Sequence, residues 1–210
     1  MPKETFLNLK EDKQQRILDA ALREIAANGY DKASVTRIVK EAGIATGSFY
    51  QYFEDMDDLF IHIALEAGRL KTRYIQQALG DGKGRGLESV IRAMYLGGMR
   101  FGLEHTEYYK AAESLLRMKD SELYRKMLAR AEKSDLAVWL FQIVGESIAN
   151  GELNKHITPE LFFRLLTSIN ATIIEFLIER KPGEGMNAAD LETLCELGVQ
   201  IVLHGISRNV

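Results

Sequence analysis

The sequence predicts an all-α chain, and three observations carry that expectation. Apolar residues recur at three- and four-residue spacing through about nine successive stretches, and no segment sustains the two-residue alternation of a half-buried strand. The breaks between stretches carry capping residues, glycines and prolines. Within this pattern the run from Ser34 to Phe53, SVTRIVKEAGIATGSFYQYF, holds two short helices joined by a glycine-containing turn, the arrangement of a helix-turn-helix.

The first helix is expected over Glu11 to Ala27, with Ile17, Leu18, Ala21, Leu22 and Ile25 on one face and Asn28-Gly29 ending it. Tyr30 then plugs a small core. Ser34 opens the second helix as a hydroxyl cap, Val35, Ile38 and Val39 line its inner face, and Gly43 stops it. In the third helix, TGSFYQYF, Phe49 and Phe53 share one face while Thr46, Ser48, Gln51 and Tyr52 point elsewhere. Small hydroxyls, an amide and tyrosines are groups that hydrogen-bond phosphate oxygens and base edges, so this helix suits a major groove.

Asp55 caps a long fourth helix from Met56 to Leu79, whose first turn holds Asp57 and Asp58 where the helix dipole favours them. Leu59, Phe60, Ile63, Ala67, Leu70 and Tyr74 keep helical spacing along it. The tract GDGKGRG, Gly80 to Gly86, follows a helix and lacks the Lys-Ser/Thr ending of a phosphate loop, so it reads as a connection. Further helices are expected over Leu87 to Glu104, Thr106 to Met118, Ser121 to Asn150, Thr158 to Arg180 and Asn187 to Ser207. Gly151, Thr158-Pro159, Pro182-Gly183, Gly185 and Asn187 mark their ends.

Composition narrows the class. Of 210 residues, 46% are hydrophobic and 27% charged, enough apolar matter for a core. No apolar run reaches the roughly 18 residues of a membrane span, and the opening MPKETFLNLKEDKQQR lacks a secretory signal's apolar centre, so a cytoplasmic chain with no membrane partner is expected. The single cysteine, Cys195, excludes a disulfide framework and a cysteine zinc site; set among Leu191, Leu194 and Leu197, it is expected buried. The net charge of −3 opposes broad attraction to polyanions, but only one end of the chain needs to meet phosphate. At that end the lysines and arginines are nearly balanced by Asp and Glu, which points to modest non-specific affinity.

The region from about Lys10 to Ile63 resembles the N-terminal DNA-binding domain of TetR-family (TetR/AcrR-like) transcriptional regulators. The resemblance rests on Gly29-Tyr30, Ser34-Val-Thr36-x-Ile38, Ala42-Gly43-Ile44, Gly47-Ser48-Phe49-Tyr50-x-Tyr52-Phe53 and Leu59-Phe60. It implies a helix-turn-helix DNA-binding domain over residues 1–54 and a helical ligand-binding and dimerisation domain over 55–210. Position by position, Ala45, Thr46, Ser48, Phe49, Tyr50 and Tyr52 match the family's recognition-helix contacts, and Thr36 and Arg37 match contacts from the preceding helix. The family usually offers lysines where this chain has Thr46 and Met56, which removes two phosphate contacts.

The last two helices are more apolar than a surface pair needs to be, with Leu161, Leu165, Ile169, Ile173, Ile174 and Leu177 on one and Leu191, Leu194, Ile201 and Val202 on the other. Gly198 and Gly205 lie seven apart, where another backbone can come close. A homodimer through a four-helix bundle is expected, reading double-stranded DNA at an inverted repeat, with repression as the simplest action. The middle helices are rich in aromatic residues and methionine, which suits a pocket for a small hydrophobic or aromatic effector. Its candidate lining is His62, Glu66, Arg69, Tyr95, Met99, Tyr108, Tyr109, Glu113, Trp139 and Phe163, although core packing is the plainer role of each aromatic.

Two other classes compete. A helical enzyme needs a convergent catalytic set, yet His62, His105, His156 and His204 are scattered, so no enzyme and no cofactor are expected. Glu104, His105 and Glu107 near a helix end read as solvated rather than as a metal site. A helical protein-interaction module remains the alternative to the DNA-binding reading.

Overall fold

Every described element is helical. The computed structural model describes residues 2–80, 86–116, 118, 120–131, 133–180 and 188–206. The helices are α1 (Glu4–Leu7), α2 (Glu11–Asn28), α3 (Val35–Ala42), α4 (Thr46–Tyr52), α5 (Met56–Leu79), α6 (Leu87–Glu104), α7 (Thr106–Leu116), α8 (Glu122–Ala131), α9 (Asp135–Ala149), α10 (Pro159–Arg180) and α11 (Ala188–Ile206), with a 3₁₀ turn at Tyr30–Lys32. The breaks expected at Pro182-Gly183, Gly185 and Asn187, and most of the glycine tract, lie outside the described residues.

Eleven α-helices among the described residues, rather than about nine, correct two expectations. The four-residue α1 is too short to show a period. The helix expected from Ser121 to Asn150 is two, because Ser134 takes extended backbone (φ −69°, ψ 153°) and its hydroxyl accepts the Ala137 N–H at 3.2 Å. A serine N-cap with Asp135 in the first turn restarts the helix more favourably than a Lys-Ser-Asp run continues one.

The chain divides into two compact units, residues 1–69 with 105–131 and residues 70–104 with 132–210. This division differs from a boundary at residue 54, since α7 and α8 pack with the N-terminal helices. In the first unit, Ile17, Ala21 and Ile25 of α2, Ile38 of α3, Phe49 of α4 and Leu59 of α5 are sealed from solvent in one cluster, which Ala111 of α7 and Leu123 of α8 complete. The start of α5 is doubly fixed. Asp55 Oδ1 accepts the Asp58 N–H at 2.8 Å, and Asp58 reaches back to the Glu54 N–H at 3.3 Å, a reciprocal cap. The Tyr30 hydroxyl donates to Asp57 while its ring lies 4.9 Å from Phe60.

In the second unit, Ile75, Ile91, Tyr95, Leu140, Phe162 and Val199 form a separate core, and Cys195 is buried there with its thiol pushed up to about 11 by burial. Arg92 of α6 is ion-paired to Glu88 and to Glu196 of α11. Thr158 caps α10 through its hydroxyl at 3.2 Å from the Leu161 N–H, with Pro159 at the first helical position. Gly198 does not reach toward a second backbone. A Cβ there would lie 3.0 Å from the Tyr95 ring and 3.1 Å from Ile173 of the same chain, and Gly205 lies outside the described side chains.

α6 approaches the backbone of α5 closely at Gly97, where a Cβ would stand 2.6 Å from the backbone N and Cα of Ile75. Backbone cannot yield as a side-chain tip can, so Gly97→Ala should destabilise the protein by about 2–3 kcal/mol in urea unfolding. Gly98→Ala meets only the flexible end of Lys71, at 3.0 Å from Cε, and should cost well under half of that.

Candidate nucleic-acid interface

α3 and α4 are joined by a turn that Gly43 makes possible. At φ 67° and ψ 39° it is left-handed, and the Ile44 N–H closes the end of α3 on the Val39 carbonyl at 3.0 Å. Ser34, expected as a hydroxyl cap, makes no side-chain cap bond. Its backbone N–H instead donates to Glu24 Oε1 at 3.0 Å, so α2 supplies the cap.

α4 is sorted into two faces. Phe49 is fully buried and Tyr52 is 6% accessible, with Phe53 sealed just beyond the helix. Ala45, Thr46, Gly47, Tyr50 and Gln51 are exposed and Ser48 is partly so. Tyr50 stands 52% accessible, which makes its phenol the largest group on the outer face. Tyr52, expected among the outward residues, instead lies with its ring centroid 6.1 Å from Phe6, under the Lys13 ammonium at 5.6 Å. Helical geometry separates Phe49 and Tyr52 by about 60° around the axis, so once Phe49 is inward Tyr52 follows it.

The segment before α2, which the sequence pattern left unread, holds the far end of this helix. Lys3 donates its backbone N–H to the Tyr52 carbonyl at 2.8 Å and its ammonium to the Tyr50 carbonyl at 2.7 Å, and the Thr5 hydroxyl donates to Gln51. These are carbonyls that a helix end leaves without partners. Phe6, sealed from solvent, wedges 4.8 Å from Phe53 and edge-on to His62 at 5.6 Å. A lone phenylalanine in a polar leader was the available signal.

Two arginines near this surface are tied to carboxylates. Arg37 donates through Nε at 2.8 Å and Nη2 at 2.5 Å to Glu24 Oε1, and Nη2 also reaches the Lys32 carbonyl at 2.5 Å. Its Nη1 group makes none of these bonds. The pair lowers the Glu24 pKa, chiefly through the Arg37 hydrogen bond, and raises that of Arg37. Arg23 pairs with Glu41 at 2.6 Å. Thr36 and Lys40 of α3 are exposed.

The residues expected to line an effector pocket fall into both units. His62 belongs to the aromatic core around Phe6 and Phe53, and burial lowers its pKa. Glu66 and Arg69 pair with each other one turn apart, and Tyr108 and Tyr109 are part-buried. In the second unit Tyr95 and Met99 are buried, Trp139 is part-buried on the core, and Phe163 meets Phe141 edge-on at 5.8 Å. The Glu113 side chain lies outside the description.

An exposed polar face on the second helix of a helix-turn-helix, among described elements that are all helical, is an arrangement that suits a DNA major groove. Residues 17–63 match the family model described as bacterial regulatory proteins, tetR family. The fatty acid metabolism regulator protein of Bacillus subtilis is 26% identical over 199 residues, 94% of this chain and 97% of that one. A TetR family transcriptional regulator from Chloroflexus aurantiacus is similar over the full length of both chains, at 26% identity and a TM-score of 0.63. The FadR regulator of Bacillus subtilis, in complex with stearoyl-CoA, shares the fold at a TM-score of 0.71 and 22% identity, over 91% of this chain and 98% of that one. Residues 17–63 thus carry the helix-turn-helix domain of the TetR family, and over most of its length the chain is similar to transcriptional regulators.

Two predictions come from this packing. Tyr52→Ala should lower unfolding stability by about 3 kcal/mol, whereas Tyr50→Ala should leave the urea midpoint unchanged. Glu24→Gln should cost about 1 kcal/mol at pH 7, less than the ~3 kcal/mol of a sealed pair, because the half-exposed Arg37 side keeps solvent screening. Since folding lowers the Glu24 pKa, its charge contributes fully above the ordinary value of 4.5 and is lost as pH falls through the lower folded value. The stability gap between wild type and variant should therefore shrink below pH 4.5.

Proposed function

We propose that the protein is a cytoplasmic repressor that binds an inverted-repeat operator as a homodimer and releases it when a small apolar effector binds. The observation that carries this reading is the uncovered apolar surface of α10 and α11. Leu161, Leu165 and Phe176 lie along one face of α10, and Leu197 and Ile201 lie one turn apart on α11; each is between 38% and 50% accessible in the single chain. Such a surface on two adjacent helices suits a second copy, and a two-fold dimer then offers two copies of α4 to two half-sites. Val202, expected at this interface, is buried in its own chain, as is Ile173.

The division of labour follows. Residues 1–54 read DNA, through Thr36, Arg37, Ala45, Thr46, Ser48 and Tyr50, while Phe49 and Tyr52 hold the helix from behind. Residues 55–210 hold the effector and the dimer contact. A relative similar over 94% of the chain is a fatty acid metabolism regulator and a neighbour in fold holds stearoyl-CoA, which supports an effector with a long acyl chain. α5, which contributes to both compact units, is the element through which effector and operator affinities would be linked, each weakening the other by the same factor.

Selection from a random duplex library should recover an inverted repeat, and affinity for it should fall steeply between about 50 and 200 mM salt. Tyr50→Ala should weaken that binding about tenfold with the fold intact. Leu165→Glu should give a monomer in sedimentation and lose the operator; a dimeric variant with full affinity would place the interface elsewhere.

A further inference from the structure

Lys71 lies on the part of α5 that belongs to the second unit, pressed along α6. A Cβ on Gly98 would stand 3.0 Å from its Cε and 3.4 Å from its Nζ, so the absent side chain of Gly98 is what leaves room for the ammonium. Its neighbours one turn away on α5 are Ala67, Gly68, Tyr74 and Ile75, and those beside Gly98 on α6 are Met94, Tyr95, Phe101 and Gly102. None is acidic. Glu104, the last residue of α6, is engaged with the Tyr74 hydroxyl at 2.5 Å.

Among the described residues no acceptor or carboxylate pairs with the Lys71 ammonium, and burial alone depresses its basicity. The side chain is nevertheless part-accessible and is not sealed in packing, so a bound molecule can reach it. The same unit holds two other unpartnered polar atoms, the Tyr95 hydroxyl and Asn170 Oδ1. A cation held against a helix with no counter-charge loses part of its hydration, and an anion of a bound molecule offsets that loss.

We propose that Lys71 is the head-group anchor of the effector site: the effector is an acyl molecule bearing an anionic group, which the ammonium receives beside Gly98. This rests on the acyl-effector reading above and adds its charge. The anion is either the carboxylate of a free fatty acid or a phosphate of an acyl thioester with coenzyme A, and binding draws Lys71 fully into its protonated form. Apolar burial of the tail alone would not discriminate an acid from an alcohol of the same length; an ammonium without another partner does.

The test is binding of hexadecanoate, hexadecanoyl-CoA and the neutral 1-hexadecanol to the full chain, wild type and Lys71→Met, by calorimetry. Loss of at least tenfold in hexadecanoate affinity, with hexadecanol unchanged, identifies the carboxylate as the partner. The same loss for hexadecanoyl-CoA alone assigns the anion to the phosphates and equally supports the anchor. Equal affinity of both proteins for the anionic ligands overturns the role of Lys71 and leaves the acyl effector standing. No binding of any of the three by wild-type protein that holds its operator overturns both. Because the lysine has no partner to lose, Lys71→Met should also raise the unfolding midpoint, whereas a lowered midpoint would reveal a structural role and count against the anchor.

Discussion

A helix of seven residues cannot persist in water by itself, because nucleation costs more than so few hydrogen bonds return. α4 exists only because its inner side is anchored, and the geometry of the candidate DNA-reading face depends on that anchoring. Phe49, Tyr52 and Phe53 turn toward one aromatic cluster with Phe6, and the leader residues Lys3 and Thr5 satisfy the carbonyls at the helix end. The outer residues Thr46, Tyr50 and Gln51 are thereby fixed in direction without being packed. Rigid support behind and free polar groups in front is what a reading surface requires.

The electrostatics of the same unit are economical in cations. Glu24 accepts from both Ser34 and Arg37, so one nearly buried carboxylate ties α2 to the start of α3 and also restrains an arginine at the candidate DNA surface. Arg23 is likewise engaged by Glu41, so two arginines there serve the structure. An overall charge of −3 fits a regulator whose affinity comes from a few directed contacts more than from a broad basic field.

The second unit is arranged on different terms. Glycines at 97 and 198 bring α6 against α5, and α11 against Tyr95, closer than any side chain would permit, which makes a dense interior with little tolerance for added volume. Inside it stand polar atoms without partners, at Tyr95 and Asn170, while the unpaired ammonium of Lys71 lies part-accessible beside Gly98. Natural cores rarely retain such groups without use, and the proposed effector site is placed in the unit that holds them.

Local rules were enough to read much of this protein from its sequence. The 3.6-residue period, Gly43 as a left-handed stop, Asp55 and Thr158 as caps and Pro159 at a first turn are decided by neighbours along the chain, so α2 to α6, α10 and the helix-turn-helix were legible. α1 was not, since four residues carry no period, and neither was the Ser134 restart, since Lys-Ser-Asp is compatible with a polar helix surface. The candidate site was legible in part: residue types pointed to α4 as the candidate reading helix, but the rotation of α4 about its axis, which hides Tyr52 and exposes Tyr50, goes with the burial of Phe49 and with Phe6, whose ring meets that of Tyr52 from 46 residues away. The Glu24–Arg37 pair and the isolation of Lys71 likewise depend on which helices meet. Sequence determined the helices and their ends, because those are local free energies; tertiary structure alone decided which face of each helix is inside and which charges are left without partners, because those depend on contacts between residues far apart in the chain.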